Sequence, residues 1–251
     1  MKVIKILAIG NSFSVDATIY LHQFSLCGKT KILIGNLHYG GCSLQQHFDF
    51  YQNKESPYEY YKNGKLVQYG FSLRQALKDE NWDYITLQQN SGNSGLIETY
   101  KPGELLYKEI STLTNARFVI HQTWAYADYY RDEQYRKYNF NQQNMYAFVR
   151  DAYIQFARTL KIKMIIPSAD AFHLARQRFG DIFNRDGFHA NEKGRYLLAA
   201  LWYEFFTNED ARTVNFKAQG FSYDENSEQG PSLSESQKLC EIAHEVISSI
   251  T

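Results

Sequence analysis

The apolar positions of the chain fall into short continuous runs separated by stretches of helical period. Residues 3 to 10 (VIKILAIG) form the first run, ended by Gly10, and residues 15 to 27 continue with Val15, Ile19, Leu21, Phe24 and Leu26 at helix-like spacing. A strand feeding a helix is the expected product. The pattern recurs in KILIGNLH (31 to 38), DYITLQQ (83 to 89), ARFVIHQT (116 to 123) and KMIIPS (163 to 168), with helical stretches near 43 to 51, 72 to 79, 102 to 114, 140 to 160 and 170 to 178. Five buried strands alternating with helices predict an α/β fold of three layers, a five-stranded parallel sheet covered on both faces. Asn63-Gly64 lies between two aromatic or aliphatic runs, which predicts a small β-hairpin insertion near 58 to 69. Asn191 heads EKGRYLLAALWYEFFT, where Leu197, Leu198, Leu201, Trp202, Phe205 and Phe206 mark the last core helix. Residues 208 to 233 are polar and acidic, with Gly220, Gly230 and Pro231, and a final amphipathic helix is expected over 234 to 250. The expected organisation is one domain over 1–207 and a C-terminal extension, 208–251, packed on it.

Composition narrows the partners. The 251 residues carry 27 Lys plus Arg against 27 Asp plus Glu. A balanced chain has no long-range attraction for nucleic acid or an anionic membrane, so neither is an expected partner. A domain of this length buries roughly 70 to 75% of the surface of its unfolded chain and needs no staples. Cys27, Cys42 and Cys240 are widely spaced, with no C-x-x-C pair, and predict neither a disulfide framework nor a zinc knuckle. No run approaches the roughly 18 to 20 apolar residues of a membrane span, so a soluble chain is expected. MKVIKILAIG lacks a small-residue cleavage site, which makes a cytoplasmic location the default expectation, or a periplasmic or secreted one if a leader was removed. His22, His38, His47, His173 and His244 show no metal-site spacing, and neither G-x-G-x-x-G nor a Walker motif is present. No metal or cofactor is expected.

In open parallel sheets ligands bind at the carboxyl ends of the strands. Here those ends carry Gly10-Asn11-Ser12-Phe13-Ser14, Gly40-Gly41-Cys42-Ser43 and Gln88-Gln89-Asn90-Ser91-Gly92, and Arg185-Asp186-Gly187-Phe188-His189 precedes the last core helix. Ser12 sits in a tight turn at a helix start, a place for a nucleophile or for an ordinary helix cap. A serine needs a base to take its proton. Asp186-x-x-His189 supplies one, because the carboxylate can turn back onto imidazole Nδ1 and leave Nε2 to face Ser12. The N–H groups of Ser12 and Gly41 and the side-chain amide of Asn90 are placed to converge on an oxyanion. Gly41 and Asn90 also suit plain turn and loop roles.

These four blocks, GNSFS, the Gly41 region, LQQNSG and DGFH, resemble in order those of the SGNH (GDSL-like) hydrolase superfamily. The likeness is closest to an uncharacterised bacterial branch sharing ILAIGNSFS, GNL-x-x-GGCSL, ITLQQ, TWAY and RDG-x-H from residue 4 to about 207. The resemblance implies a flavodoxin-like fold and a triad of Ser12, Asp186 and His189. It also implies an oxyanion hole of the Ser12 N–H, Gly41 and Asn90. Two departures stand out: GNS replaces GDS, and Gln88-Gln89-Asn90-Ser91 replaces G-x-N-D. A one-residue shift of that loop would make Gln89 the donor instead.

Asn11, Gln89, His121 and Trp124 are the candidate substrate-binding residues, Trp124 as a wall for a sugar ring or as a core tryptophan. The aromatic segment 124 to 140 has no clean period and reads as a lid, a specificity loop or a surface excursion. The expected activity is that of a serine esterase removing a small acyl group, acetyl by expectation, from a carbohydrate or similar polar ester. An acyltransferase using the same triad and a non-catalytic glycan-binding protein are the alternatives.

Overall fold

The computed structural model describes residues 2–219 and 229–250; the part of the polar stretch over 220–228 lies outside the described residues. Strand β1 (Val3–Gly10) runs through the middle of the sheet and is buried along most of its length. Parallel partners flank it, β2 (Lys31–His38) on one side and β5 (Tyr84–Leu87) on the other, followed by β6 (Arg117–His121) and β7 (Ile165–Ile166). The chain therefore leaves β1 in one direction for β2 and returns past it to reach β5. Such a reversal opens a crevice at the carboxyl ends of the two central strands.

The expected hairpin forms β3 (Tyr58–Lys62) and β4 (Lys65–Phe71), and it does more than decorate the fold. β3 pairs antiparallel with β2, Gly35 opposite Lys62 and His38 opposite Glu59, so the full sheet has seven strands in the order β4-β3-β2-β1-β5-β6-β7. Five of these are the parallel set. The turn residues Asn63 and Gly64 have φ of 55° and 79°, the left-handed pair that matches the twist of a two-residue hairpin.

Other boundaries shift for local reasons. The helix expected over 15 to 27 starts earlier and divides into α1 (Ser12–Thr18) and α2 (Leu21–Leu26). Asn11 caps α1, and Thr18 Oγ1 bonds back to the Ser14 carbonyl at its end. Strand β7 is two residues long because Pro167 follows it and has no N–H to donate. Helix α3 (Leu44–Gln52) follows β2, and α4 (Leu73–Asp79) follows the hairpin. Then α5 (Lys101–Ile110), the short α6 (Glu133–Arg136) and α7 (Gln142–Leu160) complete the crossovers, and α8 (Ser168–Phe179) follows β7. Helix α9 (Glu192–Thr207) is buried on almost every face, and α10 (Leu233–Ser248) packs against α9 and α8. No described helix is long and apolar enough to cross a membrane. Cys27 is exposed, Cys42 and Cys240 are buried, and all three are free thiols.

Candidate active site

Ser12 is the first residue of α1, directly after β1, so its N–H belongs to the first turn of a helix, where no intrahelical acceptor exists. Its hydroxyl lies 2.7 Å from His189 Nε2. On the other side of that imidazole, Nδ1 is 2.6 Å from Asp186 Oδ2. Residues 177 positions apart in sequence thus form one chain of hydrogen bonds, hydroxyl to imidazole to carboxylate.

The carboxylate is strongly held. Asp186 Oδ1 accepts from the backbone N–H of Phe188 (3.1 Å) and of His189 (2.8 Å). Burial pushes this carboxyl up, but the bonds from the His189 ring and backbone together outweigh it and hold it down at about 2. The carboxylate stays ionised and fixes the imidazole with Nε2 toward the serine.

Two further loops follow the strands that flank β1, carrying Gly41 after β2 and Asn90 after β5. Gly41, at an exposed turn with φ of 65°, has open space around its α-carbon. Asn90 follows the end of β5; its backbone N–H is spent on Gln89 Oε1, while its side-chain oxygen is buried with no hydrogen-bond partner among the described residues. The unpaired atom is an acceptor, suited to a donor on a bound group; the atom Asn90 would offer an oxyanion is Nδ2. The loops that carry Gly41 and Asn90 are tied to the Ser12 turn through Asn11, which bonds the Cys42 carbonyl and Gln88.

The four expected substrate-binding residues are not brought to the surface of the site. Asn11 is buried, and its side chain joins three loops: Oδ1 accepts from Phe13 N (3.0 Å) and Gln88 Nε2 (2.9 Å), and Nδ2 donates to the Cys42 carbonyl (3.0 Å). Gln89 is saturated as well, accepting from Leu44 N and Asn90 N and donating to the Thr99 carbonyl and hydroxyl. With no free amide hydrogen it is not an oxyanion donor, and its neighbour Asn90 has the open side chain. His121, the last residue of β6, is enclosed between Gln88 Oε1 and Ser168 Oγ against the Trp202 ring. Burial lowers its pKa to about 3, so it is a neutral core imidazole.

Trp124 is a core tryptophan. Its ring stacks between Phe13 (4.3 Å between centroids) and Phe172 (4.6 Å), and its Nε1 donates to the Phe188 carbonyl. It braces the residue after the nucleophile and the residue before the base. The segment that follows it is packed down by Tyr126, Tyr135 and Tyr138, all buried, and Tyr126 OH bonds Ser91 Oγ beside Asn90.

Sequence patterning missed the charges that join the two halves of the triad. Asp16, one turn after Ser12 and fully buried, receives Arg185 (3.0 Å), Arg195 (2.9 Å) and the N–H of Ala190. Arg195 also pairs with Glu192 (2.6 Å), which accepts from Tyr20 OH. Burial alone would favour a neutral Arg195; the Asp16 and Glu192 carboxylates reverse this and hold it above its ordinary range. The network fastens α1, which carries the nucleophile, to the loop that carries acid and base. The available signal was charge inside otherwise apolar helical stretches, at Asp16 and Arg195. Among the described residues, one set of carboxylate and imidazole groups converges closely enough for a metal: Glu204, Asp210 and His244, within 4.8 Å of one another. Glu204 is already spent on His244 and Ala211 N, and Asp210 on Arg212. That set is a hydrogen-bonded clasp, with Glu204 of α9 on His244 of α10.

Comparison with known proteins places the family and the fold. The sequence profile of the family described as "Domain of unknown function (DUF4886)" matches residues 5–229. A crystal structure of a DUF4886 family protein from Bacteroides uniformis is 34% identical, covers 98% of this chain and 95% of its own, and superposes with a TM-score of 0.91. A proposed SGNH hydrolase from Slackia heliotrinireducens is 22% identical, covers 82% and 100% of the two chains, and has a TM-score of 0.54. A catalytic mutant of an acetylxylan esterase from Geobacillus stearothermophilus is 12% identical, covers 86% and 100%, and has a TM-score of 0.57. No curated protein matches the chain. The chain belongs to the DUF4886 family, and its fold is that of the SGNH hydrolases.

Proposed function

We propose that this protein is a serine esterase of the SGNH type that removes a small acyl group, acetyl in the first instance, from a carbohydrate or a similar polar ester. The observation that carries this reading is the unbroken relay from Ser12 Oγ through His189 to Asp186, at 2.7 and 2.6 Å. Ser12 Oγ attacks the ester carbonyl as its proton passes to His189 Nε2, and Asp186 stabilises the imidazolium that forms. The carbonyl π electrons move onto oxygen, where the N–H groups of Ser12 and Gly41 and the Asn90 amide receive the charge. Collapse expels the alcohol, which takes the proton from His189. Water then adds to the acyl-serine with His189 as base, and the acid leaves. The substrate class is supported by the acetylxylan esterase among the proteins of like fold.

Hydrolysis of p-nitrophenyl acetate by wild type and Ser12→Ala, with intact-mass detection of a serine-reactive phosphonate on each, tests the reading. Wild type is expected to turn over and take the label, and the variant to lose at least ~10³-fold in kcat and stay unlabelled. A folded Ser12→Ala protein of undiminished activity removes the serine from the mechanism.

A further inference from the structure

We infer that Tyr130 and Phe188 form a stacking subsite for the sugar ring of the leaving alcohol, an assignment that rests on the esterase reading above. His189 Nε2 must deliver its proton to the leaving oxygen, so the alcohol lies within hydrogen-bond reach of that nitrogen. The acyl group and its carbonyl lie toward Gly41 and Asn90. The rings beside the imidazole are therefore the ones the alcohol meets.

Phe188 is nearest, its centroid 4.0 Å from that of His189, and Tyr130 continues the surface 5.3 Å beyond Phe188. Both are half-buried, whereas Phe13, 5.9 Å from the imidazole, is enclosed under Trp124. Tyr130 reaches this position because residue 187 is glycine. Gly187 has φ of 95°, and a β-carbon there would come 2.4 Å from Tyr130 Cδ2. The Ala127 N–H bonds the Gly187 carbonyl at 2.7 Å and ties the aromatic segment to the triad loop. Two partly open rings next to a proton donor suit a pyranose, whose C–H face packs on aromatic carbon while its hydroxyls stay wet. The wall expected of Trp124 is supplied by its neighbours.

The test compares two acetyl esters that differ only in the alcohol, methyl acetate and a monoacetylated methyl xyloside, on wild type, Tyr130→Ala and Tyr130→Phe. For Tyr130→Ala the ratio of kcat/KM, sugar ester over methyl acetate, is expected to fall about tenfold, chiefly through KM, and Tyr130→Phe to restore it. A ratio equal to that of wild type in Tyr130→Ala, with both esters slowed alike, makes the ring structural packing for the triad loop and overturns the subsite while leaving the esterase reading intact. Wild type that hydrolyses neither ester overturns both.

Discussion

Two sets of polar residues stand at the carboxyl edge of the sheet and in the loop before α9, and meet opposite fates. In the rim, Ser12, His189 and Asp186 are joined in one chain of hydrogen bonds, and Asn90 keeps a side-chain oxygen with no partner among the described residues. Beneath them, Asn11, Gln88, Gln89 and His121 form a buried layer in which side-chain donors and acceptors are paired inside the protein. The two sets have similar composition and differ in what their hydrogen bonds leave over. A saturated amide holds loops at fixed distances; an unsaturated one is available to a substrate. The layer is what makes the rim rigid, because Asn11 alone links the ends of β1, β2 and β5.

Trp124 gives the largest expected effect that separates the two. If it belongs to the buried layer, Trp124→Ala removes a ring stacked on both faces and destabilises the fold by about 3–5 kcal/mol. Urea unfolding reads this directly. An unchanged unfolding midpoint together with a raised KM would return Trp124 to the rim as a substrate wall.

Asn90 and Gln89 sharpen the comparison at adjacent positions. Asn90→Ala is expected to lower kcat by about 10² to 10³-fold with little change in stability, as for loss of one oxyanion donor. Gln89→Ala leaves the N–H groups of Leu44 and Asn90 without their acceptor, which costs about 1–3 kcal/mol of stability. The two variants are measured side by side by ester kinetics and urea melts. If Gln89→Ala shows the kinetic loss and Asn90→Ala the melting loss, the loop register read from the structure is wrong.

The same contrast explains how much was legible in the sequence. The parallel strands, the hairpin turn at Asn63-Gly64 and the helix headed by Asn191 follow from local patterning, although boundaries such as those of α1 and β7 differ. The partnership of Ser12 with Asp186 and His189 followed from spacing, strand-end position and resemblance. Burial of the neighbours did not, because it depends on which loops close over which. Gln89 and Asn90 are both amides after β5, and only the approach of α3 and Thr99 decides that Gln89 is consumed. Trp124 looked equally fit for wall or core until Phe13 and Phe172 closed on its two faces. The pairing of Asp16 was hidden for a related reason: its partners, Arg185 and Arg195, are some 170 to 180 residues away.

The smallest expected effect concerns charge, which the rim has at Asp186 and the neutral amides of the layer lack. The Asp186 carboxyl is held at about 2 in the folded chain against an ordinary value of 3.8, so folding favours its ionised form. A depressed value contributes stability that is complete above the ordinary value and disappears as pH falls from there toward the folded one. The side chain is 41% exposed, and solvent screening reduces the contribution to below about 1 kcal/mol. Wild type is therefore expected to exceed Asp186→Asn slightly in urea stability at about pH 5, and the gap to close by about pH 2. Comparing the two proteins cancels Asp16 and every other carboxylate common to both. For Gln89→Ala, which removes no charge, the deficit relative to wild type is expected to stay constant over the same interval. A gap at Asp186 that does not change with pH would mean that the carboxylate is not held by the His189 ring and backbone, and the distinction between a charged rim and a neutral layer would lose its basis.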